Sequence, residues 1–320
     1  NGATPALKLD TAGDFSVLDG SDFFTATAGS QNLRLGENAG DSIANGGNFN
    51  VFAGYNAGTA NTVGDENVAI GHAALATNVA GSKSTAIGQG ALNAQNKASD
   101  AAGDQQNTAV GYHAGVAVIT GINNTLVGAL AGDALTEANL NVAVGKGALT
   151  SDTKGSQSVA IGFAALEAQN FTAALDTYNV AVGSAAGAAL ISGINNTLIG
   201  GLAGDALTGG GFDSNNARVA GADFNVAIGL EALTLDTKGN RSTAIGFGAL
   251  RTQNFSNPTD SNNVAVGYRA GFAVTTGTAN ALIGSVAGDS LTTGTRNVAV
   301  GTSALQNDQI GSKSVALGTR

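Results

Sequence analysis

The sequence predicts an all-β fold, a parallel β-roll or β-solenoid of about 16 coils, and three observations predict it. Sixteen glycines from Gly36 to Gly318 set a period, because ten of the fifteen gaps between them are 17 residues long. Each glycine closes a short run of the type Asn67-Val68-Ala69-Ile70-Gly71 or Asn141-Val142-Ala143-Val144-Gly145. An Ala stands three residues after each of the first fifteen glycines, from Ala39 to Ala304, and the residue after that Ala alternates in pairs of Gly and Leu, so the coils group into four quartets. A fixed short period is the mark of stacked, near-identical structural units.

Four or five residues rich in Val, Ile and Thr, bounded by glycines, read as a strand. The glycines supply the backbone angles of a tight corner. Parallel stacking of coils adds about 4.8 Å each, so the rod is expected to be roughly 75 Å long. Four residues before the glycine stands Asn in twelve units, and Ser84, Ser158, Ser242 or Ser314 in the other four. The Asn is expected to form a side-chain ladder along the rod. The repeat positions are typified by Asn67 and Gly71, Asn107 and Gly111, Asn141 and Gly145, Asn179 and Gly183, Asn225 and Gly229, Asn263 and Gly267, and Asn297 and Gly301.

Alternation along the strand predicts that Val/Thr and Ile/Val face the coil interior, while Ala and Gly face out. A long strip of small apolar residues marks an interface. Association of several chains is therefore expected, the other reading being that both rows lie inside a flattened monomeric solenoid.

Extra residues fall at 93–106, 167–178 and 251–262, where quartets join, and at 205–224 inside the third quartet. These are expected to be lateral loops of a repeat domain spanning 31–320. Loops on a rigid scaffold commonly carry recognition. Gln95, Asn96, Gln169, Asn170, Gln253 and Asn254 open three of them and are candidate glycan-binding amides. The position just after the repeat glycine varies most and holds Tyr112 and Tyr268. Such aromatics either bind sugar or protein, or pack under the neighbouring coil. Residues 1–30 depart from the repeat. There Ala6–Asp10 and Asp14–Leu18 flank a Thr-Ala-Gly turn and read as a β-hairpin, a cap or connector for the first coil.

Composition limits the function. The net charge of −9, with no Lys/Arg cluster, argues against nucleic acid. No run of 18 apolar residues is present, so no membrane insertion of this segment is expected. With 43% hydrophobic and 12% charged residues the chain is too apolar for disorder. Cys is absent, which removes disulfides and thiolate metal sites. The chain starts at Asn1 and stops at Arg320 within its sixteenth coil, and reads as a piece of a longer protein. His72 and His113 occupy variable slots beside repeat glycines and suggest no catalytic set. Asp41, Asp133, Asp205 and Asp289 follow Ala-Gly pairs; turn capping explains them more simply than calcium. No enzyme activity, cofactor or metal is expected.

Asn67-Val68-Ala69-Ile70-Gly71, Ser158-Val159-Ala160-Ile161-Gly162 and their kin resemble the head repeats of trimeric autotransporter adhesins. Asn107-Thr108-Ala109-Val110-Gly111-Tyr112 is also similar to shaft repeats of phage-type tail fibres and related surface fibres. The resemblance covers residues 32–318, although the adhesin coil is usually shorter, near 14 residues. It implies a left-handed roll, three copies about one axis, and an extracellular place on a cell surface or virion. The expected function is then a structural fibre segment for adhesion or host recognition, with a host-surface glycan or protein as partner. Two alternatives are a monomeric solenoid that binds an ice or crystalline surface, and a tailspike-like fibre that binds or degrades polysaccharide. Irregular spacing of Thr85, Thr108, Thr125, Thr197 and Thr243 weighs against the first. The second would need an acidic pair in a groove.

Overall fold

The computed structural model describes residues 7–9, 15–17, 29–44, 46–96, 103–212 and 217–319. It is a β-solenoid without helix among these residues. One parallel sheet of 16 strands runs in strict chain order from Leu33–Leu35 to Val315–Leu317. We number the coils 1 to 16 by these strands. Thr125 pairs with Val142, and Val142 with Val159, so the register advances by one 17-residue coil at each step. Insertions leave the register intact: Thr197 pairs with Val226 across the longest gap. Residues 7–9 and 15–17 form the expected antiparallel pair, with Leu7 opposite Val17.

The asparagine ladder is present and does more than stack. Asn124 Oδ1 accepts the backbone N–H of Asn141 at 3.0 Å, and Asn124 Nδ2 donates to Ala138 O at 2.9 Å. Each buried amide thus binds the next coil at two points. A second ladder runs two residues earlier: Asn48 N donates to Asp65 Oδ1, and Asp65 N donates to Ser82 Oγ. A third is built of threonines, with Thr136 Oγ1 on Thr153 O and Thr153 Oγ1 on Phe171 O. These contacts satisfy turn backbone that a thin coil would otherwise leave bare.

The strand faces the opposite way from the sequence expectation. The central Ala is buried without exception from coil 3 to coil 15 wherever it occurs, as at Ala69, Ala143 and Ala227, while the flanking Val and Ile lie on the outside. The reason is steric. The opposite wall of the coil lies so close that only a methyl group fits between them. The second coil of each quartet shows how tightly this is set. There the central residue is Phe52, Leu126, Leu198 or Leu282, and the wall position beside it is Gly. A Cβ on Gly132 would lie 2.8 Å from Leu126 Cδ2, and one on Gly115 would lie 2.6 Å from Leu126 Cδ1. In the third and fourth coils the pattern inverts, with Ala143 at the centre and Leu149 on the wall. The paired alternation of Gly and Leu is therefore a volume exchange that keeps the core filled.

Four repeat positions in each of coils 1 to 15 have positive φ, illustrated in coil 7 by Leu140, Gly145, Gly147 and Leu149, at φ of 59°, 135°, 66° and 55°. Non-glycine residues bear a cost of about 1–2 kcal/mol each in that region. The stacking bonds offset it, since Leu140 N donates to Ile122 O at 3.0 Å and Leu149 N to Ala165 O at 3.0 Å. At coil 1 the central position is Arg34, whose guanidinium bonds Ala39 O and Asp41, the latter at 2.7 Å. An inward charge at a terminal strand blunts the open edge.

Candidate interaction surfaces

The surfaces of this molecule are built from the columns that the stacked coils create. The largest is the outer face of the sheet. Its two columns are Val68 and Ile70 in coil 3, Val142 and Val144 in coil 7, Val226 and Ile228 in coil 11, with Thr in place of Val in coils such as those of Thr85 and Thr108. The second column is the more open: Ile70 is 40% exposed and Ile283 41%. Parallel sheets are ordinarily covered on both faces. Here the outer face of the 16-stranded sheet carries mostly Val, Ile and Thr, partly to well exposed, with Leu33, Leu35, Ala53, Ala281 and Leu317 as exceptions.

The aromatic column beside it partly covers itself. Tyr55 stacks on His72 of the next coil with ring centroids 5.5 Å apart, and Phe247 on Tyr268 at 5.5 Å. Tyr112 stacks on its neighbour His113 at 4.1 Å. Both predicted tyrosines are therefore exposed but spend one ring face on a protein partner. This also places the two histidines: each is half of an aromatic stack.

The amides expected at the loop entrances divide. Asn96, Asn170 and Asn254 stand where the chain leaves the coil, and Thr153 and Thr237 donate to Asn170 and Asn254 at 3.2 and 3.0 Å. Gln95, Gln169 and Gln253 are wholly buried and do not belong to a surface. Their backbone still follows the coil, since Gln169 N donates to Leu166 O at 3.2 Å. Inside, Gln253 Nε2 donates to Ser242 Oγ at 2.7 Å and to Asp236 Oδ2 at 2.6 Å, and its Oε1 accepts from Asn263 Nδ2 at 2.8 Å. The sequence expects these three glutamines at a glycan-binding surface; the structure places their side chains inside the coil, hydrogen-bonded in the core to Ser84, Ser158 and Ser242.

The excursions are correspondingly narrower than the sequence suggests. The chain rejoins the rod at Leu175–Asp176, paired in parallel with Gly155–Ser156, and at Thr259–Asp260, paired with Gly239–Asn240. Gly103–Asp104 pairs likewise with Gly81–Ser82, while the intervening 97–102 lies outside the described residues. Lys83 binds Asp104 at 2.7 Å, and Arg241 binds Asp260, clamping two of these returns. The second and third excursions meet: Phe171, itself buried, contacts Phe212 edge-on at 6.2 Å. Arg218 ties the third to the rod through Ser192 O at 2.6 Å and through Asp223. All emerge about midway between successive strands, at the corner farthest along the chain from the sheet.

Two carboxyls depart from their ordinary behaviour. Burial raises the Asp236 carboxyl above the usual range, against the hydrogen bonds of Gln253, Gly239, Phe255 and Lys238. Burial also raises Asp205, opposed by Thr234 and nearby backbone. The remaining members of that column are engaged by neighbours, with Asp41 on Arg34, Asp133 on Thr150 and Asp289 beside Arg269 at 3.3 Å. Among the described residues no group of three or more His, Asp or Glu converges as a metal site would require. Among them, too, no helix is long and apolar enough to cross a membrane.

The exposed Val/Ile columns are missed from sequence because alternation there is assigned the reverse facing; the signal is the Ala between them in eleven of the sixteen strands, with Phe or Leu in four others, too small or too apolar to be a solvent-facing choice repeated so often. Comparison with family models, with curated proteins and with solved structures yields no match.

Proposed function

We propose that this chain is a rigid, extracellular, non-enzymatic fibre segment that acts in adhesion or host recognition as a homotrimer. One observation carries the reading: the bare Val/Ile face of the 16-stranded sheet. At about 4.8 Å per strand and about 10 Å of width, this strip offers on the order of 750 Å² per chain. A stable interface uses about 800 Å² per partner. Burying the columns on a common axis gives the parallel sheet its missing second cover. The excursions then point away from that axis, and three copies of each stand at one level, which raises avidity for a surface glycan or protein. The ladders supply stiffness.

Absolute mass by light scattering after size exclusion tests this reading. The expected mass is three times the 31.1 kDa chain. Val142→Lys with Val180→Lys, both on the outer face, should reduce it to one chain while leaving the β signal in circular dichroism unchanged. A wild-type rod of single-chain mass that binds no cell surface overturns the reading.

A further inference from the structure

A second apolar column lies at the corner that precedes each strand, two residues before the Val/Thr column, and the four quartets supply its internal control. In quartet 2, Ile119, Ile122 and Leu140 are all exposed, at 44%, 37% and 53%. In quartet 3 the same sites hold Ile191, Ile194 and Phe224. The backbone frame is identical. Leu140 N donates to Ile122 O as Phe224 N does to Ile194 O, and Ile122 N donates to Asn139 Oδ1 as Ile194 N does to Asp223 Oδ1. Quartets 1 and 4 build that frame from polar residues: Glu66 N donates to Asn48 O, and Arg296 N to Thr278 O. The fold therefore does not require the apolar side chains.

Backbone conformation makes their presence more telling. Leu140 and Phe224 sit at φ 59° and 58°, in the left-handed region where Asn is cheaper. Asn does occupy the same column at Asn123, Asn195 and Asn262. Two large apolar residues are thus held in strained, exposed positions at sites where the ends of the rod carry Glu66 and Arg296.

We propose that a second copy of this chain docks on this surface antiparallel, about a two-fold axis passing through coil 9. That axis sets Leu140 against Phe224 and Glu66 against Arg296, twice each, and Tyr178 against its own copy. The charges of the column support this orientation over the alternative. Lys83 then faces Ala279, Arg241 faces Asn123 and Lys313 faces Phe49, so no like charges meet. Lys83 and Arg241 are already paired with Asp104 and Asp260, but a parallel, in-register pairing would still put Glu66, Arg296 and Lys313 each on its own copy, and like charges at an interface cost several kcal/mol. Insertions do not disturb the match, because the coil register continues across them. The pairing is isologous, as two-fold contacts are. It is argued from the corner column alone and does not depend on the proposed trimer.

The chain has no Cys, so engineered thiols report without background. Glu66→Cys and Arg296→Cys chains are mixed, oxidised, and separated on a denaturing gel. The expected result is a two-chain band joined through positions 66 and 296. Parallel chains hold those positions about 58 Å apart, twelve coils at about 4.8 Å, so no parallel assembly, trimer included, gives that product. Absence of the mixed link, or links only between like positions, overturns the proposal. Charge reversal supplies a second readout. Glu66→Arg or Arg296→Glu alone should weaken pairing of rods by about 10-fold, and the two together should restore it. Failure of the pair to restore association also overturns it. Neither result bears on the trimer, which is judged by the mass of the sheet-face lysine variant.

Discussion

Gln169 Nε2 lies 2.8 Å from Ser158 Oγ and 2.6 Å from Asp152 Oδ2, so one buried amide closes the gap that a serine opens in the asparagine ladder. Its Oε1 accepts from Asn179 Nδ2 at 2.9 Å, which resumes the ladder in the next coil. Gln95 does the same between Ser84 and Asn107. Serine and glutamine are a matched pair: the shorter side chain makes room, and the longer one reaches across from the far side of the coil. The joint occurs where the chain leaves the rod, so the core stays continuous while the backbone makes its excursion.

Gln169→Ala should therefore lower stability by about 2–4 kcal/mol, because it removes three buried hydrogen bonds at once, those to Ser158 Oγ, Asp152 Oδ2 and Asn179 Nδ2, and leaves a cavity in a closed interior. Asn170→Ala, one residue on, should stay within about 1 kcal/mol of the wild type, as surface substitutions do. Urea denaturation of the two variants checks the contrast. Equal, negligible effects would return the glutamines to the surface role that the sequence suggests.

The exchange of volume across the coil can be tested by a double-mutant cycle. Leu126→Ala alone should cost about 2–5 kcal/mol through the cavity it leaves. Gly132→Leu alone should cost as much or more, because even the first carbon of its side chain would fall 2.8 Å from Leu126 Cδ2. Together they restore the volume exchange seen between Ala143 and Leu149 of coil 7, although Leu135 Cδ1 still lies 2.8 Å from the new Cβ, so the double variant should be more stable than Gly132→Leu alone. Simple additivity in thermal unfolding would show that the two positions do not share space.

The coil period, the parallel stacking, the asparagine ladder and the glycine corners are all legible in the sequence, because each repeats at one spacing and has one local cause. The facing of Val68, Ala69 and Ile70 is not. Alternation says only that Ala69 lies opposite to its neighbours; which side is inside depends on the distance to Ala74 and Leu75 across the coil, a tertiary quantity. Gln95, Gln169 and Gln253 mislead for a related reason. An amide next to an insertion reads as loop, and only the Ser eleven residues earlier reveals that the side chain has a partner within. The apolar sites at Leu140 and Phe224 become visible once the quartets are aligned by their hydrogen bonds, which the insertions obscure.

Two glycines two residues apart should differ sharply. A Cβ on Gly145 would fall 2.3 Å from Gly162 O, whereas one on Gly147 meets nothing within 4 Å. Both have positive φ, 135° and 66°. Gly147→Ala should cost about 1–2 kcal/mol, the strain of left-handed backbone alone. Gly145→Ala should cost more than about 4 kcal/mol, because two coils must separate to admit it. Purified yield and melting temperature of the two variants would settle the comparison; similar values would mean that the coil spacing is softer than the glycine column implies.

Asp236 gives the rod a pH dependence whose sign follows from its cause. Burial holds its carboxyl above the ordinary value of 3.8, so the native state takes up a proton at higher pH than the unfolded chain does. Above the raised native value the full penalty of a buried charge is present. As pH falls from there toward 3.8, protonation removes it, and this residue's contribution to stability improves. Asn78 holds the corresponding place in coil 3, donating to Gly81 O at 2.7 Å, so a neutral amide fits the site. Stability of the wild type minus that of Asp236→Asn, measured by urea unfolding, should rise as pH is lowered from neutral toward the usual carboxylate range. Other titrating groups cancel in that difference. A difference that falls instead would mean that Gln253 and the backbone amides of Gly239 and Phe255 favour the charged form more strongly than burial opposes it.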